Sequence, residues 1–205
     1  MERTKDLTQG GVGRELVRLT VPMIFGIFSL VAFNLIDTFF VAKLGTKPLA
    51  AISFTFPVIF LIGSIALGLG TAVGSVVSRA IGELNIHKVK VTTTYGLILS
   101  MIIVAAGVVV GLLTLERVFS LLGARGQTLV LIKAYMRIWY LGMFFVVIPM
   151  VGNNAIRAGG DTLLPAAIMV VSATINAVLD PCLIFGWVFF PRLELKGAAL
   201  ATVIA

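Results

Sequence analysis

The chain has 205 residues, of which 59% are hydrophobic and 12% charged, and its mean hydropathy is +1.10. This composition is too apolar for a soluble domain of the same size. The formal charge of +7 does not indicate nucleic-acid binding, because the basic residues lie in short clusters at the ends of apolar runs. The sequence therefore predicts a membrane protein that contacts lipids and has no nucleic-acid partner.

Five apolar runs are long enough to cross a bilayer, for which about 18 or more residues are needed. A sixth run begins at residue 197 and stops at residue 205, too early for a crossing. We expect an all-α membrane protein whose residues 1–205 form one six-helix transmembrane lobe with an incomplete sixth helix. The expected helices are roughly 19–42, 48–78, 91–115, 130–156, 162–190 and 197–205.

The orientation follows weakly from the basic residues. Over all linkers the basic residues divide evenly between the two sides, but four precede the first helix and two follow it: Arg3, Lys5, Arg14 and Arg18 against Lys43 and Lys47. The positive-inside rule then places the N-terminus in the cytoplasm. The first apolar run is too long for a signal peptide and has no cleavage site. We expect a multi-pass protein of the cell (inner, cytoplasmic) membrane.

Asp180 is a carboxylate in an otherwise uncharged run, and Pro181 follows it directly. An ionisable group within a membrane helix costs roughly 2.5–3.5 kcal/mol on insertion scales, so it must face protein, water or a bound ion. Asn176 precedes Asp180 by one helical turn and shares its face. Pro181 removes a backbone donor beside the carboxylate and loosens the helix there. This oxygen-rich, irregular spot suits a proton or a small cation.

Asp37 repeats the pattern in the first helix, where Asn34 precedes it by three residues and Pro22 offers a kink site. A purely structural role as hydrogen-bonded glue is the alternative for each carboxylate. Two helices that each carry an acid with an amide nearby favour ion binding or protonation over that alternative. We expect a proton or a small cation to bind at these acids, and we expect no cofactor.

Other polar or small residues leave alternatives open. Tyr135, with Trp139 and Tyr140, fits an aromatic anchor at the membrane interface as well as a site residue. Asn153 and its neighbour Asn154 fit either a polar cavity or a helix cap. The second helix is rich in glycines, which predicts close helix packing: Gly63, Gly68, Gly70, Gly74 and Gly82. The lone Cys182 and lone His87 indicate neither a disulfide nor a metal centre.

Four stretches together resemble the multidrug and toxic compound extrusion (MATE) transporters, specifically their DinF-like branch. They are TVPMI…NLIDTFFVAKLG (20–45), GLGTAVGSVVSRAIGELN (68–85), NNAIRAGGDTLLP (153–165) and NAVLDPCLIFG…KGAALATVIA (176–205). The resemblance implies twelve helices in two lobes around a central cavity. The 205 residues would form the N-terminal lobe. A C-terminal lobe would be expected in the same polypeptide.

The resemblance also implies roles for individual residues. The cation or proton pocket would be built from Asp37, Asp180, Asn176, Tyr135 and Thr202. The coupling ion would be H⁺ or Na⁺, and Na⁺ would be held by Asp37, Asn176 and Asp180. Asn153, together with Asn34, would lie near the substrate cavity. Pro22 and Pro181 would act as conformational hinges.

The implied function is secondary active efflux, in which a lipophilic or cationic organic compound leaves in exchange for H⁺ or Na⁺, and no enzymatic activity is expected. A lipid-linked saccharide flippase of the same superfamily is the nearest alternative. An inactive or dimerising half-transporter is another. An intramembrane enzyme is a remote one, because the sequence shows no DDxxD, membrane zinc or GxGD signature.

Overall fold

The computed structural model of the chain describes residues 12–187 and 190–205, and all regular secondary structure within these ranges is helical. This confirms the predicted all-α class with six helices, five of which are long and apolar enough to cross a membrane. The helices are α1 (Val12–Ala42), α2 (Thr46–Gly82), α3 (Ile86–Leu121), α4 (Gly126–Ala158), α5 (Leu163–Phe185) and α6 (Leu195–Ile204). Of the basic residues used for orientation, Arg3, Lys5 and the side chain of Arg14 lie outside the described part.

The helices α2, α3 and α4 extend beyond the uncharged runs from which they were predicted. With 36 residues, α3 is about 54 Å long at 1.5 Å per residue, well above the roughly 30 Å of a hydrocarbon core. It begins where the Asn85 side chain accepts a hydrogen bond from the Lys88 backbone N–H at 2.9 Å. A charged residue does not by itself end a helix. The polar residues that flank each apolar run therefore remain helical outside the apolar region.

The helix α5 ends at Phe185, five residues before its predicted end; residues 188 and 189 of that predicted helix lie outside the described part. Gly186 adopts a left-handed conformation with φ 75° and caps the helix. The chain then folds back, and the backbone N–H groups of Leu193 and Glu194 donate to the carbonyls of Leu183 and Ile184 at 3.0 and 3.1 Å. These bonds satisfy carbonyls that the helix end leaves open, and they start α6 beside the last turn of α5.

The helix α4 is the centre of the lobe and packs against α2, α3 and α6. Glycines allow these close approaches, as expected in lipid, where apolar burial supplies no force between helices. A β-carbon at Gly111 of α3 would lie 2.5 Å from the Tyr140 ring of α4. Gly70 and Gly74 of α2 both face Asn154 of α4. The other three glycines predicted to pack (Gly63, Gly68 and Gly82) have no neighbour within 4 Å of such a β-carbon.

The helix α1 packs chiefly against α5, and the two run parallel. Gly26, in the middle of α1, faces Ala166 and Met169 near the start of α5. Near their ends, the rings of Phe40 and Phe185 meet edge to face with centroids 6.2 Å apart. Because the two helices run in the same direction, residues at the same distance from their C-terminal ends lie at the same depth in the lobe. Asp37 and Asp180 both lie between one and two turns from these ends and therefore share one depth.

Candidate functional site

Asp180 and Asn176 form the buried centre of the site. Both side chains are fully buried in α5. The Asn176 amide Nδ2 donates to Asp180 Oδ1 across one helical turn, at a long 3.4 Å. The pair predicted from the i, i+4 spacing is therefore present, but it satisfies only one of the two carboxylate oxygens.

Asp37 adds a second carboxylate from α1. Its side chain is half-buried, and its charge acts electrostatically on Asp180. Two like charges near each other in a low-dielectric region repel strongly. A cation or a proton between them would relieve this repulsion.

Tyr135 of α4 lies within electrostatic reach of both carboxylates. It is 4% exposed, and its neighbours Trp139 and Tyr140 are 7% and 4% exposed. The interfacial-anchor interpretation of these three aromatics is therefore wrong, because their rings pack into the centre of the lobe. The structure brings Tyr135 together with the Asp37 and Asp180 charges.

Three buried oxygens in this pocket have no hydrogen-bond partner: Asp37 Oδ1, Asn176 Oδ1 and Asp180 Oδ2. Unsatisfied buried acceptors are rare and costly in proteins. A further acceptor is the Ala177 carbonyl, to which Pro181 cannot donate because it has no N–H. Carboxylate and carbonyl oxygens are suitable ligands for a hard cation, and a protonated carboxyl also satisfies them. The donor set therefore fits the expected H⁺ or Na⁺.

The chemistry of the site is limited to small, hard ions. Within residues 12–187 and 190–205 no group of three His, Cys, Asp or Glu side chains is placed to hold a metal ion. Two carboxylates with amide and carbonyl oxygens offer neither thiolate nor imidazole ligands. Such a set lacks the soft ligands that transition metals prefer.

Two further residues predicted for the site, Thr202 and Asn34, form hydrogen bonds within their own helices. The Thr202 hydroxyl donates to the Ala198 carbonyl of its own helix at 3.0 Å, although α6 does pack against α4 and α5. The Asn34 amide is exposed and donates to the Leu30 carbonyl at 2.8 Å. Asn153 is half-buried inside α4, and since the cap of that helix is Gly159, the capping alternative is wrong.

The predicted hinges both lie inside helices, Pro22 in α1 and Pro181 in α5. Pro22 stands one turn before Gly26, where α1 lies close to Ala166 and Met169 of α5. Each proline removes one backbone hydrogen bond and weakens its helix locally. The geometry is compatible with bending at both positions.

Sequence reasoning missed two features. Phe39, Phe40, Phe185 and Trp187 form an aromatic cluster at the ends of α1 and α5, with Lys43 Nζ 4.5 Å above the Phe39 ring. Arg157 of α4 has a buried Nε without a partner. No local pattern marks either feature, because both depend on which helices meet.

The comparisons with known proteins agree with this geometry. The MatE family model matches residues 22–182. The FAD transporter of Shewanella oneidensis is 45% identical over 205 residues, which are 100% of this chain and 45% of that protein. The multidrug export protein MepA of Staphylococcus aureus is 29% identical over 198 residues, covering 95% of this chain and 42% of that protein.

A solved structure gives the same fold. The outward-facing structure of a multidrug resistance MATE family transporter superposes with a TM-score of 0.89 at 32% identity. The match covers 99% of this chain and 45% of that one. The chain thus spans less than half the length of the relatives it matches, and the matched half is the six-helix N-terminal lobe.

Proposed function

Since this chain belongs to the MATE transporter family, a family of multi-pass membrane transport proteins, we propose that it forms the ion-coupling lobe of a secondary active exporter. In this proposal H⁺ or Na⁺ binds at Asp37, Asn176 and Asp180, beside Tyr135. An organic compound leaves the cell in exchange. The N-terminus faces the cytoplasm, and the protein resides in the cell membrane.

One observation carries the proposal: three oxygens from two separate helices are buried together without hydrogen-bond partners. In a purely structural site, buried polar groups normally have hydrogen-bond partners or are replaced by apolar residues. A site that alternately gains and loses a cation has a reason to keep them. The ion supplies the missing partner in one state and leaves in the other.

The arrangement of the helices suggests how the ion acts on the rest of the lobe. Asp37 belongs to α1, which carries Pro22 and packs mainly against α5, the helix that carries Asp180. A cation between the carboxylates draws α1 toward α5, and its release lets α1 bend away. Coupling of about 1–3 kcal/mol between ion and cargo suffices for exchange.

Two cargo classes have support. Export of lipophilic or cationic drugs rests on the 29% identity to a protein named multidrug export protein MepA. Export of a flavin dinucleotide rests on the 45% identity to a protein named FAD transporter. The higher identity favours the second class. Flipping of a lipid-linked saccharide stays an alternative without its own supporting observation.

The test uses proteoliposomes with the complete transporter that contains this lobe. Imposed pH and Na⁺ gradients are applied separately, and export of FAD or of a cationic dye such as ethidium is followed by fluorescence. Asp37→Asn and Asp180→Asn are each expected to reduce gradient-driven export by at least about tenfold. Both keep the side-chain shape and remove the charge.

The matched control is Glu116→Gln, which neutralises an exposed carboxylate paired with Lys133 and is expected to leave export unchanged. Gradient-driven export at wild-type rates by both Asp variants would refute the site. Response to only one gradient would identify the ion, and export of only one probe would identify the cargo class.

A further inference from the structure

Arg157 occupies the last turn of α4, at the opposite end of the lobe from the carboxylate pocket. It follows Tyr135 by 22 residues, or about 33 Å of helix. The residue is half-buried. The proposed coupling mechanism gives it no role.

The guanidinium group of Arg157 is poorly satisfied. Its Nη2 approaches the Met169 sulfur of α5 at 3.3 Å, and a thioether is only a weak acceptor. Its Nε is buried and has no partner. Among the described residues the side-chain ion pairs are Lys88–Glu83, Lys133–Glu116 and Arg192–Glu194, and Arg157 belongs to none of them.

The nearest acidic residue along the chain is already engaged. Asp161 Oδ1 accepts the backbone N–H groups of Leu163 and Leu164 at 2.9 and 3.1 Å and so holds the start of α5. A buried charged donor without an acceptor costs free energy. The partner of this guanidinium is therefore to be sought outside the described protein atoms.

The Arg157 side chain lies where three helices meet. Met169, which the guanidinium contacts, also packs against Gly26 of α1, so the side chain lies between α4, α5 and the middle of α1. Phosphate is the anion that a guanidinium fork binds best through paired hydrogen bonds. It is available both in membrane headgroups and in a dinucleotide cargo.

We propose that Arg157 is a phosphate-binding residue at the α4–α5 end of the lobe. The phosphate belongs either to an organic phosphate cargo or to a phospholipid headgroup. The cargo version rests on the proposed export function and narrows it to phosphorylated compounds, whereas the lipid version is independent of it.

The cargo arm measures binding of FAD, FMN and riboflavin to the complete, purified transporter by flavin fluorescence. These probes share the ring system and carry two, one and no phosphate groups. Arg157→Gln is expected to weaken FAD and FMN binding by about tenfold or more and riboflavin binding by less than about twofold. Arg125→Gln, a change of an exposed arginine at the other end of α4, is the matched control and is expected to change none of them.

The lipid arm measures thermal unfolding in nanodiscs of phosphatidylglycerol or phosphatidylcholine, without flavin. Stabilisation by phosphatidylglycerol that disappears in Arg157→Gln and persists in Arg125→Gln assigns the phosphate to lipid. If Arg157→Gln does not fold, Arg157→Lys replaces it. This variant keeps the charge but lacks the paired guanidinium donors, so it is expected to show a smaller loss of phosphate binding in the same experiment.

Equal weakening of all three flavins, or no change in either arm, would overturn the proposal, since the guanidinium would then be structural or hydrated. These outcomes are separable from failure of the export function. Phosphate-dependent binding without ion-driven export would leave this inference standing and refute the coupling. Ion-driven export without any Arg157 dependence would do the reverse.

Discussion

The α1–α5 pair and the α2–α3–α4 unit lie in one lobe but are built differently. In the most apolar stretch of α1 only 6% of residues are buried, against 44% in α4. The α2–α3–α4 unit joins through glycine contacts and buried apolar side chains such as Met136 and Val147. The α1–α5 pair instead encloses polar oxygens that lack partners. Apolar side chains and close glycine contacts therefore hold the first region together, whereas the second keeps polar groups that a bound ion can satisfy.

The largest stability effect is expected from Gly111→Leu in the α2–α3–α4 unit. A β-carbon there would lie 2.5 Å from the buried Tyr140 ring, and overpacking of this kind costs about 1–3 kcal/mol. Gly107→Leu is the matched control, because it lies one turn earlier in α3 and faces open space. Thermal unfolding in detergent measures both. Equal midpoints would show that the unit is not closely packed.

Asp180→Asn is expected to stabilise the protein, unlike Gly111→Leu. It removes a fully buried charge with an unsatisfied Oδ2, so the free energy of unfolding should rise by about 1 kcal/mol at high pH, where free carboxylates are charged. Export should fall in the same variant. Glu116→Gln, which neutralises an exposed carboxylate, supplies the comparison. A destabilised Asp180→Asn protein would mean that the carboxylate is part of the packing instead.

Pro22→Ala is expected to slow export by about tenfold at nearly unchanged stability. The substitution restores a backbone hydrogen bond in α1 and stiffens the proposed hinge, while few buried contacts depend on this helix. Pro57→Ala in α2 is the matched helix proline. Transport rates and unfolding midpoints of the two variants are compared. Wild-type export by Pro22→Ala would remove α1 bending from the mechanism.

Thr202→Val is expected to have the smallest effect. The hydroxyl bonds to its own helix, so its loss should change the ion concentration for half-maximal export by no more than about twofold. Asn176→Leu, which removes a buried pocket oxygen, should change it far more. Similar changes of this ion concentration in the two variants would show that Thr202 of α6 belongs to the pocket.

Much of the fold was predictable because the solvent constrains it. In hydrocarbon the backbone must satisfy its own hydrogen bonds, so each long apolar run becomes a helix. The start of α1 and the ends of α3 and α5 were misplaced for local reasons: helix continues into polar sequence, whereas Gly186 stops α5 early. The Asn176–Asp180 pair was also predictable, since four residues make one turn.

The sequence by itself determined that the chain crosses the membrane as helices and that two isolated acids within them need partners. Only the tertiary structure decided that α1 packs beside α5, with Asp37 and Asp180 at the same depth, that Tyr135 is buried inside the lobe, and that Arg157 has no acidic partner in the described part of the chain. The physical reason is that lipid gives apolar faces no preference for one another. Which helices pair therefore depends on shape complementarity, such as glycines that face bulky side chains. The residues that fit together in this way are far apart in the sequence.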